Sequence, residues 1–125
     1  MVEQPRKTIL VIDDEEAIVL LLETILEIYG YHCVSCLNPQ NAIKTAEEIK
    51  PDLIILDIAM PEIDGYEICA SLKKSENTSR IPIIMVTALA LAQDRKKGLE
   101  SGADSFIFKP FNPGTVISEI KKLLA

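Results

Sequence analysis

Acidic, hydroxyl and amino side chains stand directly after the apolar runs of this sequence: Asp13 and Asp14, Asp57, Thr87 and Lys109. Each one alone has an ordinary structural explanation, such as an acid that opens the next helix or a solvated lysine. If the runs are parallel strands of one sheet, however, all these side chains lie at the same edge of it. The sequence then predicts one crevice that contains three carboxylates, a hydroxyl group and an ammonium group.

Three carboxylates in one crevice repel one another, since two of them about 4 Å apart repel by about 4 kcal/mol at an effective dielectric constant near 20. Such a site either shifts a pKa strongly or holds a cation. The available ligands are hard oxygens without a nearby histidine or cysteine, and this favours Mg²⁺, Mn²⁺ or Ca²⁺ over zinc or copper. Few protein ligands favour Mg²⁺, which is often shared with a phosphate.

A carboxylate-bound Mg²⁺ with a lysine and a threonine opposite is suited to phosphoryl transfer. The metal and Lys109 neutralise phosphoryl oxygens, and Thr87 donates a hydrogen bond. One carboxylate then remains to act as the nucleophile and to form an acyl phosphate. We expect Asp57 in this role because it ends the central apolar run and so lies deepest. Glu15 and Glu16 are expected only to open the first helix, where the helix dipole favours acids.

The elements that position these groups alternate between strands and helices along the chain. Short apolar runs predict strands at residues 9–12, 53–56, 83–86 and 106–108, with a weaker strand at 31–36. Helical spacing or capping residues predict helices before Gly30, from Asn38-Pro39 to Pro51, over residues 65–74, before Gly102, and after Asn112-Pro113. Residues 60–65 have the composition of a loop.

This alternation predicts an α/β fold. Strands that are apolar on both faces belong to parallel sheets covered by helices on both sides. A closed α/β barrel needs about 250 residues, and this chain has 125. We therefore expect a doubly wound open sheet in one domain that spans residues 1–125.

Composition excludes several functional classes. The chain has 13 Lys and Arg against 19 Asp and Glu, and a net charge of -6 argues against direct binding of nucleic acid. The apolar runs are far shorter than the roughly 20 residues of a membrane span, and no secretion signal is visible. Three cysteines favour a reducing compartment, and we expect a cytoplasmic protein. Cys33 and Cys36 have the spacing of a metal or redox pair, but on a strand they point to opposite faces.

The chain resembles the receiver domain of a bacterial two-component response regulator from Ile9 to Leu124. The resemblance rests on motifs in a fixed order: the pair Asp13-Asp14, the run Leu56-Asp57-Ile58-Ala59-Met60-Pro61 leading to Asp64-Gly65, then Thr87-Ala88, Gly102-Ala103-Asp104 and Lys109-Pro110-Phe111. Each motif is weak alone, and their order and spacing are specific. The resemblance implies a five-stranded, flavodoxin-like sheet of order 2-1-3-4-5 between two helical layers.

The resemblance also implies roles for the residues of the crevice. Asp57 would be the phosphoacceptor. It would ligate Mg²⁺ together with Asp14 and the backbone carbonyl of Ala59, while Asp13 would act largely through water. Thr87 and Lys109 would hold the phosphoryl group, and the bond from Lys109 to Pro110 would be cis.

The resemblance further implies a switch rather than a turnover enzyme. A sensor histidine kinase or phosphotransfer protein would supply the phosphoryl group, or acetyl phosphate would do so slowly. Thr87 would then move toward the phosphoryl group and the ring of Phe106 would turn inward. This changes the affinity of the face formed by the fourth helix, fifth strand and fifth helix for an effector protein or an output domain. A monomer or weak dimer is expected, with no direct contact to nucleic acid or membrane.

Three alternatives stay open at this point. A flavodoxin-like mononucleotide binder needs a hydroxyl- or glycine-rich loop after the first strand, where this chain has four acids. An aspartate-nucleophile phosphatase has two aspartates one residue apart, whereas Asp13 and Asp14 are adjacent. A receiver-shaped interaction module that is never phosphorylated would not need the full set of acids.

Overall fold

The structure is a computed structural model that describes residues 6–60, 63–88 and 92–125. Pro61, which belongs to one of the motifs above, lies outside the described residues. The strands and helices follow one another as β1 (Thr8–Ile12), α1 (Glu16–Ile28), β2 (His32–Cys36), α2 (Ala42–Ile49), β3 (Leu53–Asp57), α3 (Gly65–Lys74), β4 (Ile83–Thr87), α4 (Ala92–Glu100), β5 (Ser105–Phe108) and α5 (Pro113–Leu124). A single 3-10 turn, Pro39–Asn41, precedes α2.

The five strands form one parallel sheet in the order β2-β1-β3-β4-β5. This confirms the predicted doubly wound sheet of order 2-1-3-4-5. The order places β1 and β3 side by side at the centre, with Ile12 opposite Leu56. Because the strands are parallel, the side chains that follow them meet at one edge.

Both faces of the sheet are covered by helices. Leu10, Ile12 and Leu56 pack on one face against buried residues of α2 and α3, and β1 residues Ile9 and Val11 pack on the other face. The helices on that second face are α1 and α5, which contribute Val19, Leu22, Leu26, Val116 and Ile120. Strand residues that are buried on both sides explain the continuous apolar runs of the sequence.

The helix ends follow the predicted capping residues with one exception. Gly30 has φ +87° after α1, and Asn112 Oδ1 accepts a hydrogen bond of 2.7 Å from the N–H of Gly114 at the start of α5. Asn38 caps the 3-10 turn, accepting from the N–H of Gln40, and not α2 itself. Lys50 ends α2 in the left-handed region at φ 52°, one residue before Pro51.

The stretch after β3 is more regular than the predicted loop. Ala59–Met60 pairs antiparallel with Ile63–Asp64 as a short hairpin, so the expectation of loop structure over residues 60–65 is wrong for its described part. Glycine at position 65 allows the start of α3 to lie directly against Ile58. A Cβ added there would overlap the backbone of Ile58 and lie 2.8 Å from its Cγ2.

The cysteines are free thiols at separate places in the fold. Cys33 packs on the face covered by α1 and α5, and Cys36 packs on the opposite face, as predicted. Cys69 is fully buried in α3. Within the described ranges, no helix has the length and apolar character needed to cross a membrane.

Candidate functional site

Two buried carboxylates stand at the centre of the sheet edge. Ile12 on β1 is paired with Leu56 on β3. Asp13 follows Ile12 and Asp57 follows Leu56, so the two acids lie side by side. Each is only 2% exposed. Topology alone therefore brings together two acids that are 44 positions apart in the sequence.

Two further acids complete a cluster, which we call the acidic pocket: Asp13, Asp14, Glu15 and Asp57. One carboxylate oxygen from each of these residues lies within 4.8 Å of those of the others. Asp14 is half-buried and Glu15 is exposed, so the pocket is closed at its base and open to solvent at its rim. The three aspartates are those predicted.

Glu15 is the residue that sequence reasoning missed. It was expected only to open α1, and it does precede the first helical residue, Glu16. Its carboxylate, however, also lies 3.6 Å from the Nζ of Lys109 and belongs to the acidic pocket. The run of four acids after β1 was the available signal for a further acid in the pocket. An acid at a strand–helix junction can precede the helix and also reach into a site at the strand ends.

Lys109 supplies the positive charge of the site. Its Nζ lies 3.1 Å from Oδ2 of Asp57 and 3.4 Å from Oδ2 of Asp13. Its own N–H donates to the carbonyl of Thr87 at 2.8 Å, which fixes the segment after β5 to the end of β4. The peptide bond between Lys109 and Pro110 is cis.

The other oxygens of the two buried carboxylates bind backbone N–H groups. Oδ1 of Asp13 accepts from Glu15 at 2.9 Å, and Oδ1 of Asp57 accepts from Ala59 at 2.9 Å. Hydrogen bonds of this kind stabilise the ionised carboxylate. They also orient each side chain toward the pocket.

Burial and charge act in opposite directions on these groups. Burial raises the pKa of Asp13, and the neighbouring charge of Asp57 adds to that rise, while the hydrogen bond from the Glu15 N–H and the charge of Lys109 oppose it. Burial alone would lower the pKa of Lys109. The charges of Asp57 and Asp13 outweigh that effect, and the pKa of Lys109 is raised above its ordinary value.

The acidic pocket fits a hard divalent cation. Among the described residues, Lys109 forms ion pairs with three of the four carboxylates and supplies one positive charge, so three negative charges are uncompensated when all four acids are ionised. The donors are all carboxylate oxygens, the ligands that Mg²⁺ and Ca²⁺ prefer. An accessible rim also leaves room for water or a phosphoryl oxygen in the coordination shell.

The remaining predicted site residues lie at the same edge of the sheet or, in the case of Phe106, within the outer strand β5. Thr87 is fully buried at the end of β4, one position beyond Val86, the partner of Asp57. Ala59 and Ala88 are exposed, so small side chains flank the opening. Phe106 lies on β5 opposite Met85 and is half-buried, with its ring centroid 5.2 Å from that of Phe108.

Comparison with known proteins agrees with this architecture. Residues 9–121 match the family model described as the response regulator receiver domain. The alkaline phosphatase synthesis transcriptional regulatory protein PhoP of Bacillus subtilis is 44% identical over 118 residues, which are 94% of this chain and 48% of that protein. The chain thus spans about half the length of the curated relatives it matches.

Solved structures give the same picture. A putative response regulator from Chloroflexus aurantiacus superposes with a TM-score of 0.91 at 30% identity, covering 96% of this chain and 98% of the other. The receiver domain of the sensor histidine kinase PA1611 from Pseudomonas aeruginosa, described with a magnesium ion coordinated in the active site cleft, gives 0.88 at 28% identity, covering 96% and 98%. The fold, the acidic pocket with its lysine and the match over residues 9–121 place this chain in the response regulator receiver domain family.

Proposed function

We propose that this receiver domain accepts a phosphoryl group on Asp57 from a phosphohistidine of a sensor kinase or phosphotransfer protein. The observation that carries the proposal is the position of Lys109, whose Nζ lies 3.1 Å from Asp57 within a cluster of four acids. A buried carboxylate with an adjacent ammonium group is an anionic nucleophile with a cation ready for the incoming oxygens. We infer that the domain is a switch, with one covalent change per signal.

The proposed transfer is a displacement at phosphorus. An oxygen of Asp57 attacks the phosphoryl group, the O–P bond forms, and the N–P bond to the donor histidine breaks. The donor nitrogen retains the electron pair and takes up a proton from solvent. Lys109 neutralises charge on the transferred group, and the hydroxyl of Thr87 donates a hydrogen bond to it. Water later hydrolyses the acyl phosphate.

We propose Mg²⁺ as the cation of the acidic pocket. Asp14, Asp57 and the backbone carbonyl of Ala59 would be its direct protein ligands, and Asp13 would act through water. When bound, the metal neutralises negative charge on the phosphoryl oxygens. The magnesium ion described for the related PA1611 receiver domain supports this choice.

We further propose that phosphorylation changes partner binding through the face formed by α4, β5 and α5, with Thr87 and Phe106 as the moving residues. The partner would be an effector protein or an output domain of the same polypeptide. Relatives twice as long that are named transcriptional regulators support the second possibility. We also propose that residues 1–125 form a single receiver domain that acts in the cytoplasm, where its three free cysteines would stay reduced.

Intact-mass spectrometry after incubation with acetyl phosphate tests this proposal. We expect the parent to gain one labile phosphoryl group only in the presence of Mg²⁺, and Asp57→Asn to gain none. Glu76→Gln, which removes an exposed acid far from the pocket, should label like the parent. Full labelling of Asp57→Asn would refute the assignment of the acceptor. If acetyl phosphate and an active histidine kinase both fail to label the parent, the receiver is an unphosphorylated interaction module.

A further inference from the structure

Tyr66, near the start of α3, connects this helix to α4. Its hydroxyl group donates toward Asp94, 3.3 Å from the backbone oxygen and 3.4 Å from Oδ1. Lys97 lies one turn further along α4, and its Nζ stands 4.6 Å from the centre of the Tyr66 ring. Residues three apart on a helix share a face. One tyrosine therefore contacts α4 through both its hydroxyl and its ring.

The same tyrosine is linked through the backbone to Asp57. Oδ1 of Asp57 accepts a hydrogen bond from Ala59, and Ala59 pairs with Asp64 in the hairpin. Oδ1 of Asp64 in turn accepts from the N–H of Tyr66 at 2.8 Å and caps α3. Three short steps thus join the carboxylate of Asp57 to the first turn of α3.

Close packing also joins the residue after Asp57 to the start of α3. Gly65 begins α3 directly against Ile58, the residue after Asp57, and there is no space for even a methyl group between them. Ile58 is itself buried. We therefore expect a shift of the backbone after Asp57 to move the start of α3, because the two segments are in close contact.

The tyrosine hydroxyl remains a donor under ordinary conditions. Burial, the charge and hydrogen bond of Asp94, and the charge of Asp64 all raise the pKa of Tyr66. The group is therefore protonated at neutral pH and can donate to either oxygen of Asp94.

We propose that Tyr66 is a positioning residue that couples the phosphorylation state of Asp57 to α4, by a route separate from Thr87 and Phe106. The inference rests on the proposed function of Asp57. A phosphoryl group on this carboxylate changes the hydrogen bond that it accepts from Ala59. The change passes through the hairpin and Asp64 to Tyr66. The hydrogen bond from Tyr66 to Asp94 and the contact of its ring with Lys97 then change.

Hydrogen exchange of the α4 amides, read by mass spectrometry, tests this coupling. The comparison uses the full chain of the parent, of Tyr66→Phe, which deletes only the hydroxyl group, and of Tyr29→Phe, a matched change in an exposed tyrosine beyond the end of α1. Each protein is measured before and after treatment with acetyl phosphate and Mg²⁺, and its labelling is determined in the same sample.

In Tyr66→Phe we expect α4 of the unphosphorylated protein to exchange about two- to fivefold faster, as for the loss of one weak hydrogen bond. Phosphorylation should then change the exchange of α4 by less than half of the change in the parent, although labelling is complete. Tyr29→Phe should match the parent in both states.

Two results would overturn the coupling. One is α4 exchange in Tyr66→Phe that equals the parent before and after labelling. The other is faster exchange before labelling but an undiminished response to it, which would make Tyr66 a purely structural contact. Absence of labelling in the parent would instead refute the proposed function of Asp57 and the coupling with it.

Lys97→Met keeps the hydroxyl contact of Tyr66 with Asp94. We expect it to change the hydrogen exchange of α4 less than Tyr66→Phe does.

Discussion

Asp13 and Asp57 use their side chains in the same way. In each, Oδ1 accepts a hydrogen bond from the backbone N–H two residues further along the chain, and Oδ2 faces the Nζ of Lys109. The lysine therefore holds two buried carboxylates together at the ends of adjacent strands. The proposed phosphoryl group on Asp57 would bring new oxygens next to this ammonium group, and Lys109 would then exchange a carboxylate partner for a phosphoryl partner.

Lys109→Met should lower stability at neutral pH in the presence of a chelator. The change leaves Asp13 and Asp57 buried without their cation, and removing one partner of a buried pair costs about 3–5 kcal/mol. Because Lys109 keeps some contact with solvent, we expect a smaller loss, of about 2 kcal/mol in the free energy of unfolding, as measured by urea unfolding. The pKa of Lys109 is raised in the folded state. The stability that its charge contributes is therefore fully present below pH 10.5, the ordinary pKa of lysine, and is lost as the pH rises through the folded-state pKa.

Saturating Mg²⁺ should restore most of the stability lost in Lys109→Met, since it supplies the missing positive charge. Lys122→Met is the matched control, because Lys122 is exposed and its ion pair with Glu119 lies on the surface. Surface pairs contribute about 0–1 kcal/mol. Equal losses in the two variants would contradict the role of Lys109 in holding the acidic pocket together.

Asp13→Asn should stabilise the protein when no divalent cation is present. The pKa of Asp13 is raised by burial, so the folded state binds its proton more tightly than the unfolded state does. The free energy of unfolding therefore falls as the pH rises from 3.8 through the folded-state pKa, and the full cost of ionisation is present above it. At neutral pH in chelator we expect a gain of about 1 kcal/mol, or roughly 4 °C in melting temperature.

The diagnostic measurement is the difference in stability between the parent and Asp13→Asn across this pH range, because other carboxylates titrate in both proteins. The gain should vanish at low pH, where Asp13 is protonated in the folded and unfolded states. A difference that is constant with pH would show that the substitution acts through packing and not through the charge of Asp13.

Much of the fold was predictable because it depends on local patterns. The buried strands β1, β3 and β4 are continuous apolar runs, and residues such as Gly30 and Asn112 mark helix ends through backbone preferences that act locally. The acids at the strand ends were predictable as a group for a different reason. In a parallel sheet, topology alone decides that they meet.

Features that depend on close tertiary contacts were not predictable in the same way. The hairpin after β3 has only two paired residues in each strand, and the close approach of Gly65 to Ile58 beside it leaves no periodic signal in the sequence. The run of four acids after β1 indicates that a further acid could join the acidic pocket, but only the packing of Lys109 against the strand ends determines that it is Glu15. Likewise, Tyr66 has the appearance of an ordinary helix residue until α4 is packed beside it.

Asp14→Asn should weaken Mg²⁺ binding by about tenfold or more, because it removes the charge of one of the proposed oxygen ligands in the acidic pocket. Glu15→Gln should have a smaller effect, of about two- to fourfold, because this carboxylate is exposed and screened by solvent. Isothermal titration with Mg²⁺ measures both. Glu16→Gln is the control, since Glu16 is the adjacent acid but lies outside the cluster. Unchanged binding in Asp14→Asn would remove Asp14 from the set of metal ligands.

Gly98→Ala should destabilise the protein and alter the position of Phe106. A Cβ at position 98 would lie 2.8 Å from Cε2 of the Phe106 ring and 2.9 Å from Sδ of Met85, so α4, β4 or the ring must shift. Overpacking of this kind costs about 1–3 kcal/mol, which exceeds the gain of up to about 1 kcal/mol from replacing a helical glycine by alanine. Urea unfolding should therefore report a net loss of about 1 kcal/mol.

The double variant Gly98→Ala with Phe106→Leu separates this contact from a general effect on α4. A smaller side chain at position 106 leaves space for the added methyl group, so Gly98→Ala should cost less in that background than in the parent. The difference between the two costs is the coupling energy of a double-mutant cycle, and we expect at least about 0.5 kcal/mol for residues in direct contact. Strict additivity would mean that the ring of Phe106 moves freely away from α4. In that case the position of α4 would not control the position of this ring.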